Sequence, residues 1–231
     1  MKAFILAAGY GKRLRPLTSK TPKPLIPVNG KPLIIYHMEK LRRAGIRDLV
    51  INVHWLAEQI IDFFADGNDL GLDIQFSHES ELLDTGGGIL NALPLLGNEP
   101  FLLVNGDVYT ELEFSDLLDH QLRDSLAHLV LVENPTHNVM GDFSFENNDL
   151  DTGKLYRSDS KNPYTYAGVA LIDPELVSEW PNRGGPFPLL SPLLRASSER
   201  RLSGELYSGR WEDVGTVERL NALDRILSEA E

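Results

Sequence analysis

The sequence predicts an α/β fold on a doubly wound, mostly parallel sheet. Three observations carry the prediction. Short apolar runs alternate with helical patterns through the first half of the chain, the rhythm of strand–helix–strand units. The first apolar run breaks directly into a glycine loop, Gly9-Tyr10-Gly11. A later run, Phe101–Asn105, is apolar enough for a strand covered on both faces, and it ends on Asn105-Gly106-Asp107.

Residues 3–8 (AFILAA) form the first strand. Residues 32–44 read as a helix. Pro32 stands at its start, Leu33, Ile34, Tyr36, Leu41 and Ala44 supply apolar positions, and Gly45 stops it. Residues 49–53 are a short strand, 56–65 a helix followed by Gly67, and 73–77 alternate as a strand. Thr85 is placed to cap a helix running to residue 93. In the second half Ala127–Glu133 and Tyr164–Ile172 read as strands, the latter ended by Asp173-Pro174. Residues 147–161, rich in Asn, Asp and Ser, read as a turn or mobile excursion. Residues 181–188 hold three prolines and two glycines and must be a loop. Residues 216–230 form a last helix with Val217, Leu220, Leu223 and Leu227 on one face. No repeat or low-complexity tract divides the chain, and residues 1–231 are expected to be one domain whose second half extends the same sheet.

The charge is unevenly placed. The 231 residues carry a formal net charge of −12, yet the first acidic residue is Glu39. Before it stand Lys2, Lys12, Arg13, Arg15, Lys20, Lys23 and Lys31, so 38 residues carry +7 and the other 193 carry −19. One basic segment on an acidic protein focuses potential on one place. Five of these cations, Lys12, Arg13, Arg15, Lys20 and Lys23, stand in the loop that follows the first strand and its glycines. Glycines let backbone N–H groups approach an anion, and the cationic side chains add movable charge, so the segment reads as a cradle for a polyphosphate. The dinucleotide fingerprint would need glycine where Leu14 stands, and no G-x-x-x-x-G-K-[ST] run exists.

Other chemistries are excluded. There is no cysteine, hence no disulfide, thiol nucleophile or thiolate metal site. The six histidines show no H-x-x-H or H-E-x-x-H spacing, and there is no G-x-S-x-G elbow, which favours direct transfer without a covalent enzyme intermediate. No apolar stretch approaches the ~18 residues of a membrane span, and the first apolar run is too short for a signal-peptide core. The protein is expected in the cytoplasm. Net charge −12 argues against a nucleic-acid partner.

The run Leu6-Ala7-Ala8-Gly9-Tyr10-Gly11-Lys12-Arg13-Leu14-Arg15-Pro16-Leu17-Thr18, followed by Pro22-Lys23-Pro24-Leu25-Ile26-Pro27-Val28, resembles the opening of the sugar-1-phosphate nucleotidyltransferases, L-A-A-G-x-G-x-R-L-x-P-L-T and P-K-P-[LM]-[LIV]-P-V. The likeness covers nearly the whole chain. Glu79 to Gly88 resembles the family's E-x-x-x-L-[GE]-T-[AG]-G element, and Asn105-Gly106-Asp107 its G-D motif. Gly141-Asp142-Phe143 falls near its P-x-x-[FY]-G, Tyr166-Ala167-Gly168-Val169 at its A-G-[IV], and Trp211-Glu212-Asp213-Val214-Gly215-Thr216 at its W-x-D-[VI]-G-T.

The resemblance implies a Rossmann-like fold with a smaller sugar-binding extension. Residues 1–110 would mainly hold the nucleotide, and residues 111–231 the sugar and the last helix. It implies that a sugar 1-phosphate attacks the α-phosphorus of a nucleoside triphosphate and that pyrophosphate leaves. Arg13 and Lys23 would be catalytic. Ala8, Gly9, Gly11, Lys12, Arg13, Lys23, Ser77, Glu79, Thr85, Gly86 and Asn105 would bind the nucleotide, and Gly141, Asp142 and Gly168 the sugar. Mg²⁺ would be the cofactor, held by Asp107 and Asp213. On the residues alone, a carboxylate just past a buried strand suits Mg²⁺ or an ordinary Asn-Gly-Asp turn. Asp213 likewise suits a metal or a helix N-terminus. The chain departs from the family twice. Residues 77–88 hold no glutamine, and the E-K-P lysine is missing, with Lys154, Arg157 and Lys161 as the cations nearby. The nearest likeness is to short members, which implies uridylyl transfer from UTP to N-acetylmuramate 1-phosphate in cell-wall recycling. The alternatives are guanylyl transfer to mannose or heptose 1-phosphate and cytidylyl transfer to phosphocholine. A catalytically inactive regulatory module is a further one, against which the full set Arg13, Lys23, Asp107 and Asp213 speaks.

Overall fold

The computed structural model describes residues 1–147, 152–181 and 185–229. The chain begins with β1 (Ala3–Leu6), then the short hairpin β2 (Pro27–Val28) and β3 (Lys31–Pro32), α1 (Leu33–Arg43), β4 (Asp48–Val53), α2 (Ala57–Phe63), β5 (Asp73–His78), α3 (Asp84–Leu96) and β6 (Phe101–Asn105). It continues with β7 (Val108–Thr110), α4 (Ser115–Leu118), β8 (Ala127–Glu133), β9 (Ser144–Phe145), β10 (Thr152–Tyr156) and β11 (Tyr164–Ile172). The last elements are α5 (Glu175–Ser178), α6 (Leu190–Ser198), β12 (Leu202–Leu206), β13 (Trp211–Asp213) and α7 (Val217–Ser228).

Among the described residues nine strands form one sheet in the order β5-β4-β1-β6-β11-β8-β12-β10-β9. β5, β4, β1 and β6 run parallel. β11 is antiparallel to both β6 and β8, and β12 returns parallel to β8. The second half of the chain thus extends the first half's sheet.

Alternation along each strand feeds two cores. Ala3 and Ile5 of β1, with Leu102 and Val104 of β6, face a core closed by Ile34, Met38 and Leu41 of α1 and Ile60 of α2. Phe4, Phe101 and Leu103 face the other, closed by Ile89 and Ala92 of α3 and Leu193 and Ala196 of α6. A third cluster seats Leu220 and Leu223 of α7 on Leu14, Val28, Tyr109 and Val214. Helices on both faces make the sheet doubly wound. β4 and β6 flank β1, so the chain reverses direction across the sheet at the C-terminal ends of β1 and β6, where open α/β sheets leave a crevice. No helix among the described residues is long and apolar enough to cross a membrane.

Two sequence expectations need correction. Thr85 does not cap α3. The helix begins at Asp84, runs through Pro94 to Leu96, and its N-terminus lacks a side-chain cap. The turn expected at 147–161 contains β10, a sheet strand paired with β9 and β12. Only Leu155 of that strand is buried, so no apolar pattern marks it; residues 148–151 of that reading lie outside the described residues. Helix α6 and strands β12 and β13 went unread. The loop at 181–188 is irregular where described, with 182–184 outside the described residues, and the last helix is present, with Thr216 as its N-cap.

Candidate active site

The crevice holds a cavity of about 480 Å³ whose floor is the end of β1. Gly106 N–H donates to the Leu6 carbonyl at 2.9 Å, and a Cβ on Gly106 would lie 2.6 Å from that oxygen. Only glycine lets β6 turn this close to β1. Ala7, Ala8 and Gly9 line the cavity, and a Cβ on Gly9 would meet nothing within 4 Å, so its bare backbone faces open space. Asn52, buried at the end of β4, braces this floor. Its Oδ1 accepts from Ala7 N–H at 2.6 Å, and its Nδ2 donates to Glu79 Oε1 at 2.6 Å. The second Glu79 oxygen accepts from Leu83 N–H at 3.0 Å. The buried carboxylate at the cavity wall is thereby satisfied on both oxygens.

The glycine loop folds over this floor. Gly11 has φ +59° and presents its carbonyl to Leu14 N–H and the Thr18 hydroxyl, both at 2.8 Å. It shapes the loop and does not line the cavity. Lys12 is exposed, its ammonium 5.4 Å from the Tyr10 ring. Lys23 enters from a short 3₁₀ turn and donates to Asp107 Oδ2 at 2.7 Å. Both residues line the cavity.

Asp107 and Asp213, far apart in sequence, become neighbours through the β7–β13 ladder. Asp213 pairs with Val108, and Val214 N–H donates to the Asp107 carbonyl at 2.9 Å. Asp213 Oδ2 accepts from Arg219 Nη1 at 2.9 Å and lies 3.4 Å from His137 Nε2. Burial first, then Arg219, holds His137 below the usual imidazole range, with Asp213 opposing. Asp213 Oδ1 is buried and has no hydrogen-bond partner among the described residues. Arg13 joins this group: a Cβ on Gly215 would lie 3.0 Å from Arg13 Nη2 and 2.9 Å from Asp213 Oδ1, and would run into Arg219 Nη2. An orphaned carboxylate oxygen on a strand paired next to Asp107 fits a small hard cation. No cluster of three His, Asp or Glu among the described residues makes a full protein cage, so phosphate and water would complete the shell.

A second cavity of about 220 Å³ adjoins the first, sharing Thr85 and Asn105 with it. Asp142, Phe143, Tyr166, Leu189, Leu190 and Leu193 are among its walls. Asp142 Oδ2 accepts from Tyr166 N–H at 2.9 Å and from Asn138 Nδ2 at 3.3 Å. Gly168, φ +76°, sits at an irregularity in β11, where a Cβ would press on the Asn105 side chain at 2.9 Å. Gly141 turns the chain at φ +64° against Asn134 and Asn162 and lines neither cavity.

The residues expected to hold the base are more scattered. Thr85 lines both cavities, but its hydroxyl accepts from Leu189 N–H at 2.8 Å. Gly86 faces away, with its N–H on the Phe187 carbonyl at 3.0 Å and the Phe187 ring where a Cβ would stand. Ser77 is buried off the cavity and accepts from Asn91 Nδ2 at 2.9 Å. Lys154 donates to Asp124 and Ser125 in a separate polar cavity, and Arg157 and Lys161 are exposed. Sequence reasoning missed Asn52, His137, Tyr166 and Arg219. Asn52 alone left a signal, a polar residue inside an apolar strand.

Comparison with known proteins places these features in context. A family profile described as nucleotidyl transferase matches residues 2–148. The chain is 46% identical over 227 residues to N-acetylmuramate alpha-1-phosphate uridylyltransferase of Neisseria meningitidis, covering 95% of each chain. It is 32% identical to the protein of the same name from Caulobacter vibrioides, covering 99% of this chain and 97% of that one. In fold it resembles a UDP-glucose pyrophosphorylase solved with UDP-glucose, with TM-score 0.85 at 20% identity, over 100% of this chain and 99% of the other.

Proposed function

The chain belongs to the nucleotidyl transferase family, and on that premise we propose that it transfers the uridylyl group of UTP to N-acetylmuramate 1-phosphate, giving UDP-N-acetylmuramate and pyrophosphate, with Mg²⁺ as cofactor in the cytoplasm. The observation that carries the reading is the 46% identity over 95% of both chains to a protein of that name. The paired cavities, one walled by backbone and charge and the other partly apolar, suit a nucleotide beside a sugar.

The acceptor phosphate is already anionic near neutral pH, so the attacking oxygen needs no general base. The difficulty is bringing two polyanions together in line. Gly9 and its neighbours offer backbone to the triphosphate without side-chain obstruction. Lys23, 2.7 Å from Asp107 and at the cavity wall, is poised to exchange that carboxylate for a phosphate oxygen. Arg13 and Arg219 bring two guanidiniums to the Asp213 side, where charge develops on the leaving pyrophosphate or remains on the acceptor phosphate. Mg²⁺ bound by Asp107 and Asp213 would polarise the α-phosphate as a Lewis acid. Asn52 and Glu79 hold the floor rigid, so these donors need little reorganisation.

Pyrophosphate release with Mg²⁺, each of the four nucleoside triphosphates, and N-acetylmuramate, N-acetylglucosamine or mannose 1-phosphate tests the reading. Turnover confined to UTP and the muramate substrate is the expected result. Turnover with another pair would reassign the substrates, and nucleotide binding without turnover would point to a regulatory module.

A further inference from the structure

Two residues on the wall of the smaller cavity each carry a buried polar atom that the fold leaves unpaired. The Tyr166 hydroxyl and the Asn105 carboxamide oxygen are both buried, and neither has a hydrogen-bond partner among the described residues. Both residues line this cavity. Buried polar atoms in folded proteins are almost always paired, so two orphans on one cavity wall call for a ligand that pairs them. Each is held in place by other contacts. Tyr166 is anchored through its backbone N–H on Asp142 at 2.9 Å, and the Asn105 side chain packs on Gly168. Burial raises the Tyr166 pKa, so the phenol stays a donor. The remaining wall includes Phe143, Leu189 and Leu193.

One donor, one acceptor and an apolar wall are the complement of a secondary acetamide, which offers one carbonyl, one N–H and one methyl. We propose that Tyr166 and Asn105 read an acetamido group on the acceptor sugar. The Tyr166 O–H donates to the amide carbonyl, the Asn105 oxygen accepts the amide N–H, and the methyl lies on Leu189 and Leu193. The assignment rests on the reading of this cavity as the sugar side of the site. A carboxylate fits less well: it would face the Asn105 oxygen with like polarity and set a charge on leucine side chains. Tyr166 is thus a specificity-determining residue.

UDP-N-acetylglucosamine and UDP-glucose differ only in this substituent, and their binding to the wild-type protein and to Tyr166→Phe, measured by calorimetry with UDP alone as the reference, tests the proposal. The wild type is expected to favour the acetamido ligand by about tenfold or more, the yield of two modest hydrogen bonds. Tyr166→Phe should shrink that preference to within about threefold, leave UDP affinity unchanged, and keep or raise the melting temperature, because it deletes an unpaired buried hydroxyl and retains the ring. An undiminished preference, an equal loss for both sugars, or a variant that fails to fold would overturn the assignment. If UDP itself does not bind, the uridylyl reading fails separately. The acetamide preference is then read from N-acetylglucosamine 1-phosphate against glucose 1-phosphate with the same two proteins.

Discussion

Asp107 lies 2.7 Å from Lys23, with 38% of its side chain exposed. A pair with one partner wet and the other, Lys23, only 12% exposed contributes modestly to folding, while under the proposed function the same carboxylate acts on the rate. Asp107→Asn is therefore expected to lower kcat about 10²–10³-fold while changing stability by less than about 1 kcal/mol. Pyrophosphate-release kinetics and urea melts on the same preparation separate the two effects, and near wild-type turnover would remove Asp107 from the reaction. His37 is the opposite case, a residue of the interior stacked near Phe114. Burial lowers its pKa to about 4, helped by Lys40 and opposed by the Val108 backbone and Asp107. As pH falls, the unfolded chain protonates this histidine near 6.5, while the folded chain stays neutral until about 4. The unfolded state binds the extra proton in that window, so its contribution to stability is complete above pH 6.5 and is lost on acidification. The loss should reach about 3 kcal/mol. His37→Phe should flatten the acid side of a urea-midpoint profile between those values; an unchanged slope would assign it to other groups. At this scale the carboxylates and cations were legible because their motifs are local strings. Asn52, Tyr166 and Arg219 were not, because what distinguishes each is a partner, or the lack of one, supplied by another segment.

Helix α3 shows what an element can hide. Its glycines, Gly86 to Gly88, suggest an open platform, yet Gly86 and Gly87 donate to the Phe187 carbonyl at 3.0 and 3.1 Å, and Phe187 N–H returns to Leu83 at 3.1 Å. A distant loop supplies the cap that no side chain provides. A Cβ on Gly86 would run into the Phe187 ring and stand 3.0 Å from its carbonyl. Gly86→Ala is expected to cost about 1–3 kcal/mol through overpacking and to weaken sugar binding by shifting Leu189, which Thr85 holds at 2.8 Å. Urea denaturation and UDP-sugar calorimetry would check both; full stability would show that the loop yields freely. Dense apolar strands such as β1, β4 and β6 were readable because burial on both faces demands an unbroken apolar run. β10, with one buried residue, and β13, whose three residues are all half-buried, carry no such demand.

Across the whole molecule the charge separation has a measurable consequence. A +7 segment on a −12 protein attracts polyanions over a distance set by screening, which shortens from about 10 Å at 0.1 M salt to about 3 Å at 1 M. UTP affinity is expected to fall several-fold over that range of KCl, and a flat titration would remove the basic segment from nucleotide capture. The sequence by itself determined the alternation of strand and helix, the basic glycine loop, the motifs bearing Lys23, Asp107 and Asp213, and the family, because each is written in contiguous residues or their spacing. The tertiary structure alone decided that β7 and β13 bring Asp107 and Asp213 together, that the Phe187 loop caps α3, and that Tyr166 and Asn105 share one cavity wall with unpaired atoms. These depend on burial and pairing between distant segments, which local composition does not encode until the sheet has closed.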